Sequence, residues 1–275
     1  MFGLGDERVF GSAGGVSVHF IDVGQGDCAL IKTQEKNILI DCGEREYYNT
    51  VLNYLKKQGV TRLDYVIISH PHSDHMGAMS YIIDELNADT LIMPKVKDEL
   101  VPVTSSFGRL LDSVSRSGTQ VVYAKPETRI ELDNGSSIEL LSPLNDYDDL
   151  NNYSVVVKLI AAGYTFLFTG DIEKDAENDI LKSGFDISAD VLKVAHHGSS
   201  TSSKAKFLNT VDADYAVINV GSPNSYNHPN DDVINRLIDR GYTIFRTDLH
   251  GDIVFDCTDS GLEIYTQKES GRDAA

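Results

Sequence analysis

The run "LDYVIISHPHSDHMG", residues 63 to 77, restricts this chain more than any other part of it. An apolar strand candidate ends in a turn that holds His70, His72, Asp74 and His75. Imidazoles crowded in this way repel when protonated and need partners when buried, so the turn calls for an added positive charge. In extended geometry His70 and His72 lie on one face and can reach one ion. Asp74 and His75 come where the chain turns into a helix beginning at Met76, so they point to a neighbouring position. That spacing suits two ions better than one.

Two further segments repeat the design of an apolar strand with a polar tip. "YTFLFTGD" ends at Asp171, and "ADVLKVAHHGS" carries His196 and His197. Ligands of packed sheets collect beyond the carboxyl ends of strands, so these tips are expected to converge. A fourth tip, "NILIDCG", offers Asp41 to hold a ligand imidazole in one tautomer from behind. Cysteine is absent from the set, and nitrogen and oxygen donors suit zinc, with manganese or iron as alternatives. His19 in a strand and His250 before Gly251 read as structural.

The rest of the chain alternates strands and helices. Strand candidates are VSVHFIDV, CALIKT, NILIDC, DYVIIS, TLIMP, TQVVYA, SIELLS, YSVVVKLI, YTFLFTG, ADVLKVA, DYAVINV, YTIFRT, DIVFDC and LEIYT. Helical spacing marks Tyr48 to Leu55 before Gly59, Met76 to Leu86, Phe107 to Val114 before Gly118, and Val233 to Ile238 after Pro229. Shorter helices are expected near 173–181 and 205–208. So many strands with helices between them predict an α/β (α+β) fold of four layers, αββα, with two packed sheets and helices outside. It is expected to occupy residues 16–266 as a single domain, between a flexible leader at 1–15 and a flexible tail at 267–275.

Net charge is −18, which argues against loose electrostatic adhesion to nucleic acid or anionic membrane. It leaves room for a phosphate-bearing substrate, because bound divalent ions would dominate the local field. Cys28, Cys42 and Cys257 lie in strand-like runs and read as core thiols. No apolar run approaches the roughly 20 residues that span a bilayer, and the start lacks a signal-peptide pattern. A cytoplasmic location is the expectation for the chain as it stands, and an extracellular or membrane-attached one if it is cut from a longer parent.

The His-x-His-x-Asp-His turn at 70 to 75 resembles the signature of the metallo-β-lactamase superfamily, and the resemblance runs from about Val16 to Thr266. Within it, "FIDVGQGDCALI", "ILIDCGE", "SHPHSDHMGAM", "NNYSVVVKL", "FTGDI", "LKVAHHGSSTSS" and "VGSPNSYNHP" are similar to the ComEC-like branch, the hydrolase domain of DNA-uptake proteins and its free-standing relatives. The bacterial phosphorylcholine esterases share several of these segments. The resemblance implies the metallo-β-lactamase-like αββα sandwich and a centre of two divalent ions, zinc or manganese. His70 and His72 would hold one ion, Asp74 and His75 the second, with Asp171 bridging. Of the adjacent pair, the spacing favours His197 as ligand and leaves His196 beside the site. Many members place a further histidine where this chain has Asn151 and Asn152, which makes exchangeable manganese more credible.

The activity implied is that of a dinuclear metal-dependent hydrolase, a phosphodiesterase or DNA nuclease acting through a metal-bridging hydroxide on a phosphodiester such as single-stranded DNA. Asp74 would bind metal and orient the water, and His228, with His196 second, would give a proton to the leaving group. Ser199 and Ser200 in "GSSTSSK" and Asn224 and Tyr226 in "GSPNSYN" are expected to meet the substrate. Lys193, Lys204 and Lys206 are the cations a nuclease could use. A small-molecule phosphodiesterase of the phosphorylcholine esterase type is the alternative. Behind it stand hydrolysis of lactams, lactones or thioesters, and a non-catalytic metal-binding domain.

Overall fold

Strands rich in Val, Ile and Phe assemble into two sheets in the computed structural model, which describes residues 2–3, 9–10, 15–258 and 261–268. One sheet runs, edge to edge, through Phe2–Gly3, Gly261–Thr266, Ile253–Thr258, Val16–Phe20, Ala29–Lys32, Asn37–Ile40, Leu63–Ile67, Ala88–Met93 and Gln120–Tyr123. The other runs through Thr243–Arg246, Tyr215–Ile218, Val191–Lys193, Tyr164–Phe168, Val157–Ala161, Ser137–Leu140 and Arg129–Glu131.

Three apolar layers account for the stacking. Between the sheets lie Phe20, Ile31, Ile67 and Phe255 against Leu159, Phe166, Val191 and Phe245. Outside the first sheet, Leu39 and Val66 pack with the helices Tyr48–Lys57, Met79–Leu86 and Ser105–Ser117 through Leu55, Ile82 and Leu110. Outside the second, Leu167, Leu192 and Ala216 meet Ile180, Phe207 and Leu237 of the helices Lys174–Ser183, Ala205–Val211 and Asp231–Ile238. Strands buried on both faces read as continuous apolar runs, as these do. The four-layer αββα expectation is met.

The parallel pairs position the site. Asn37–Ile40, Leu63–Ile67 and Ala88–Met93 run side by side, which sets Asp41 next to the turn that begins at Ser69. Tyr164–Phe168, Val191–Lys193 and Tyr215–Ile218 do the same in the second sheet, aligning the tips that carry Asp171, His197 and Asn219. Both sets of tips meet at one end of the sandwich.

Some local expectations change. The Met76 stripe is divided into Ser73–Met76 and Met79–Leu86, because the Asp74 and His75 carbonyls accept from Asp27 and Cys42 and the Ala78 N–H donates to the Gly43 carbonyl instead of continuing the helix. "NNYSVVVKL" begins as a 3-10 turn, Asn151–Tyr153, and becomes strand only at Val157. Much of the leader and tail lies outside the described residues, but Phe2–Gly3 pairs with Tyr265 and Thr266. Phe10 is buried against Val254 and Tyr265. Among the described residues no helix is long and apolar enough to cross a membrane.

Candidate metal centre

The turn after Leu63–Ile67 is pinned before it reaches its histidines. Asp41, held at φ 54°, accepts the Ser69 backbone N–H through Oδ1 at 2.8 Å and the His75 Nδ1–H through Oδ2 at 3.0 Å. That bond leaves the fully buried His75 with its Nε2 aimed inward and without a hydrogen-bond partner. Asp41 thus bonds the Nδ1 side of the His75 ring, an arrangement that favours one tautomer. His70 is likewise buried, with Nδ1 3.2 Å from Ser69 Oγ and 3.3 Å from Ser154 Oγ. Its Nε2 lies 2.9 Å from His72 Nδ1, so both nitrogens face one point.

Asp171 sits between the two halves. Its Oδ2 is 3.2 Å from His75 Nε2, 3.6 Å from His197 Nε2 and 4.0 Å from His70 Nε2, and its Oδ1 is buried without a partner. His197 Nδ1 donates to the Asn219 carbonyl at 2.9 Å, and its Nε2, also unpartnered, lies 3.4 Å from Asp74 Oδ2. His196 is half-buried at the rim, with Nδ1 3.3 Å from Glu173 Oε1 and Nε2 3.8 Å from Asp171 Oδ2. The chain reaches this arrangement through two consecutive left-handed residues, His196 at φ 52° and His197 at φ 52°. Non-glycine residues in this region cost on the order of 1–3 kcal/mol each and cluster at functional sites.

Electrostatics at the centre favour positive charge. Burial opposes a charged imidazole at His75, but Asp171, Asp74 and Asp41 outweigh it and raise His75 well above its ordinary range. His197 is raised to about 10 against burial by Asp171 and Asp27. His70 is pushed well below its usual value, by burial first and then by His75. A divalent cation answers the same field, and the donors fit one. Two atoms bound to one ion at about 2.1 Å lie roughly 3.3 Å apart, close to the spacings above. Donor atoms of Asp74, His75, Asp171 and His197 all fall within 4.8 Å of one another. With the His70 and His72 pair adjacent, the residues fit two ions.

A cleft of about 330 Å³ opens over this centre, with His72, Asn151, Tyr226 and His228 among its walls. Tyr226 is 66% exposed and stacks on His228 with ring centroids 5.7 Å apart. Burial, then His196 and His197, push His228 down to about 4. Other expected substrate contacts are not brought into the cleft. Ser199 is buried with Oγ 2.9 Å from Thr201 Oγ1, while Ser200 is exposed outside the walls. Asn224 donates to the Gly221 and His228 carbonyls and accepts from the Tyr226 and His228 backbones, bracing its own loop. Lys193 is no substrate cation: it is 3% exposed and its Nζ lies 2.7 Å from Asp27 Oδ2.

Two asparagines acquire distinct roles. Asn152 is buried and its Oδ1 accepts the backbone N–H groups of Glu173 and Ala176, capping the helix Lys174–Ser183 from another segment. Asn151 keeps a buried, unpartnered Oδ1 beside the cleft. Sequence reasoning missed Asp27 and Asn219 around His197. Asp27 had the same signal as the other tips, a carboxylate ending a polar, glycine-rich stretch after an apolar strand, "FIDVGQGD".

Fold and site together define a metal-dependent hydrolase with a candidate dinuclear centre at the strand tips. The chain belongs to the metallo-beta-lactamase superfamily, whose model matches residues 21–221. It is 28% identical over 262 residues to ComE operon protein 3 of Bacillus subtilis, covering 86% of this chain and 32% of that protein. It is 31% identical over 250 residues to the competence protein ComA of Neisseria gonorrhoeae, covering 88% of this chain and 32% of that one. The chain thus spans about a third of the length of these curated relatives. Among solved structures, the metallo-beta-lactamase fold protein YhfI from Bacillus subtilis superposes with a TM-score of 0.56 at 14% identity, over 88% of this chain and 99% of that one. CmlA, a diiron beta-hydroxylase from Streptomyces venezuelae, does so at 0.58 and 13%, over 88% and 54%. At such identities these two establish the fold alone.

Proposed function

We propose that this chain is a phosphodiesterase of the nuclease type, acting on DNA strands at the paired-ion centre. The observation that carries the reading is the convergence of unpartnered buried donors, His75 Nε2, His197 Nε2 and Asp171, on one point beside His70 and His72. Two ions bound there would lower the pKa of water toward neutrality and polarise a phosphoryl oxygen. His70 and His72 would hold one ion and Asp74, His75 and His197 the other, with Asp171 shared. Asp74, more exposed than His75, Asp171 and His197, would also orient the attacking water. His228 would hydrogen-bond a substrate oxygen, and His196, at the rim, is better placed to protonate the leaving group.

Two further observations support DNA. The relative ComA of Neisseria gonorrhoeae is named a competence protein. Tyr226, stacked and exposed at the edge of the cleft, offers a face to a base next to the scissile phosphate. A phosphorylcholine diester is the second reading, favoured by the acidic surface. It needs a cage of aromatic faces for the quaternary ammonium, and Tyr226 is the one Phe, Tyr or Trp among the described lining residues. Asn151, which lines the same cleft as His72, would give the first ion a weaker donor than a third imidazole, which favours manganese over tightly held zinc.

The test is hydrolysis by metal-stripped protein resupplied with manganese or zinc, comparing single-stranded DNA with a phosphorylcholine diester and using Asp74→Ala as the blank. Manganese-dependent DNA cleavage missing from the blank is expected. Cleavage of the small diester alone would overturn the DNA reading.

A further inference from the structure

Asp27, outside the candidate ligand set, touches both sides of the second ion's site. Its backbone N–H donates to the Asp74 carbonyl at 3.1 Å, while its Oδ1 lies 3.2 Å from His197 Nδ1. The preceding residue admits no side chain: at Gly26, φ 152°, an added Cβ would be 2.4 Å from the Asp74 carbonyl oxygen. The loop thus presses directly on the turn that carries Asp74 and reaches across to the other sheet's histidine.

A carboxylate buried this deeply needs a counter-charge. Lys193 provides it, with Nζ 2.7 Å from Asp27 Oδ2 and a second bond to the Val194 carbonyl at 2.9 Å. Donor atoms of Asp27, Asp41 and His75 also lie close enough to hold an ion of their own. That place is already served, since the Lys193 ammonium neutralises Asp27 and Asp41 engages His75 Nδ1. The cation here is part of the protein, and what the pair does is orient. His197 leaves a left-handed stretch of backbone, so its ring direction depends on what grips Nδ1. Among the described residues, Nδ1 donates to the Asn219 carbonyl and faces Asp27 Oδ1, an oxygen that is buried with no hydrogen-bond partner of its own.

We propose that Asp27, charge-balanced by Lys193, is the positioning residue of the second ion: it latches the Asp74 turn through its backbone and aims His197 Nε2 through its carboxylate. The proposal rests on the two-ion reading above. It makes the short stretch Gly26–Asp27 the tie between the half-sites contributed by the two sheets.

The experiment compares wild type with Asp27→Asn and with the double variant Asp27→Asn/Lys193→Met, which removes both buried charges and serves where the single change disturbs folding. Manganese binding is followed by calorimetric titration, and pairing of the ions by the spin-coupled electron paramagnetic resonance signal of adjacent manganese ions. The wild type is expected to take two ions and give the coupled signal. Both variants are expected to keep the first ion at unchanged affinity and bind the second about 10- to 100-fold more weakly, the usual loss when a partner of a metal ligand is removed. The coupled signal should then vanish at two equivalents. Wild-type affinity for the second ion in either folded variant overturns the role of Asp27. A wild type that takes a single ion overturns instead the two-ion reading on which it rests.

Discussion

His75 and His197 share one construction: Nδ1 is bonded to an oxygen of the protein, and Nε2 is buried with no protein hydrogen-bond partner. Removing either side of the centre should silence it. Asp74→Ala and His197→Ala are each expected to abolish hydrolysis while circular dichroism stays native, and full activity in either would remove it from the site. His196 is the strained neighbour. His196→Gly should relieve its left-handed backbone and raise the unfolding free energy of the metal-free protein by about 1 kcal/mol in urea titration. A loss of stability would contradict the strain argument. The metal turn, Asp171 and Asp41 were legible in the sequence because a run of apolar residues ending in His and Asp has little other reason to exist. Spacing favoured His197 over His196, but the Asn219 carbonyl that holds its Nδ1 lies far away in sequence and left no local signal. Asn224 gave a signal of the same polar kind, and its bonds return to its own loop, which sequence position alone does not reveal.

The segment after His197 is held by the helices rather than by a ligand. Glu177 is buried and accepts the Ser203 and Lys204 backbone N–H groups, and Arg236 donates to the Ser202 and Ser203 carbonyls. Burial raises Glu177 to about 7 despite those bonds. A folded-state value above the unfolded one, about 4.3, means the folded chain binds the extra proton. Its contribution to stability is complete below about pH 4.3 and is lost as pH rises through about 7. Unfolding titrations of Glu177→Gln between those limits should therefore fall less steeply with pH than wild type, and parallel curves would show the carboxyl to be unperturbed. The Asn152 cap belongs with this clamp: Asn152→Ala should cost about 1 kcal/mol, as lost caps do. The helices Tyr48–Lys57, Ser105–Ser117 and Asp231–Ile238 were readable from their spacing. The break after Met76 was not, because the hydrogen bonds that interrupt the helix come from Asp27, Cys42 and Gly43, far away in sequence. A cap supplied from Asn152, twenty-odd residues upstream, leaves no local mark.

Charge over the full chain bears on the substrate. Net charge is −18, and among the described residues no lysine or arginine lines the cleft, so the bound ions must supply nearly all attraction for phosphate. Lys193 is engaged with Asp27, and Lys204 donates to the Ser200 carbonyl at 2.7 Å. A protein that neutralises Z phosphates of a single strand shows a salt slope near −0.7Z. Binding of single-stranded DNA to the manganese-loaded Asp74→Asn variant should thus depend on salt with a slope shallower than about −1. A steep slope would point to a basic track away from the cleft. The four-layer stacking itself was readable from strand number and helix spacing, because each apolar face must find another. Crystals soaked in manganese and measured for anomalous scattering should give two peaks, one against His70 and His72, the other against Asp74, His75 and His197, with Asp171 between them. A single peak, or peaks away from these side chains, would contradict the two-ion reading.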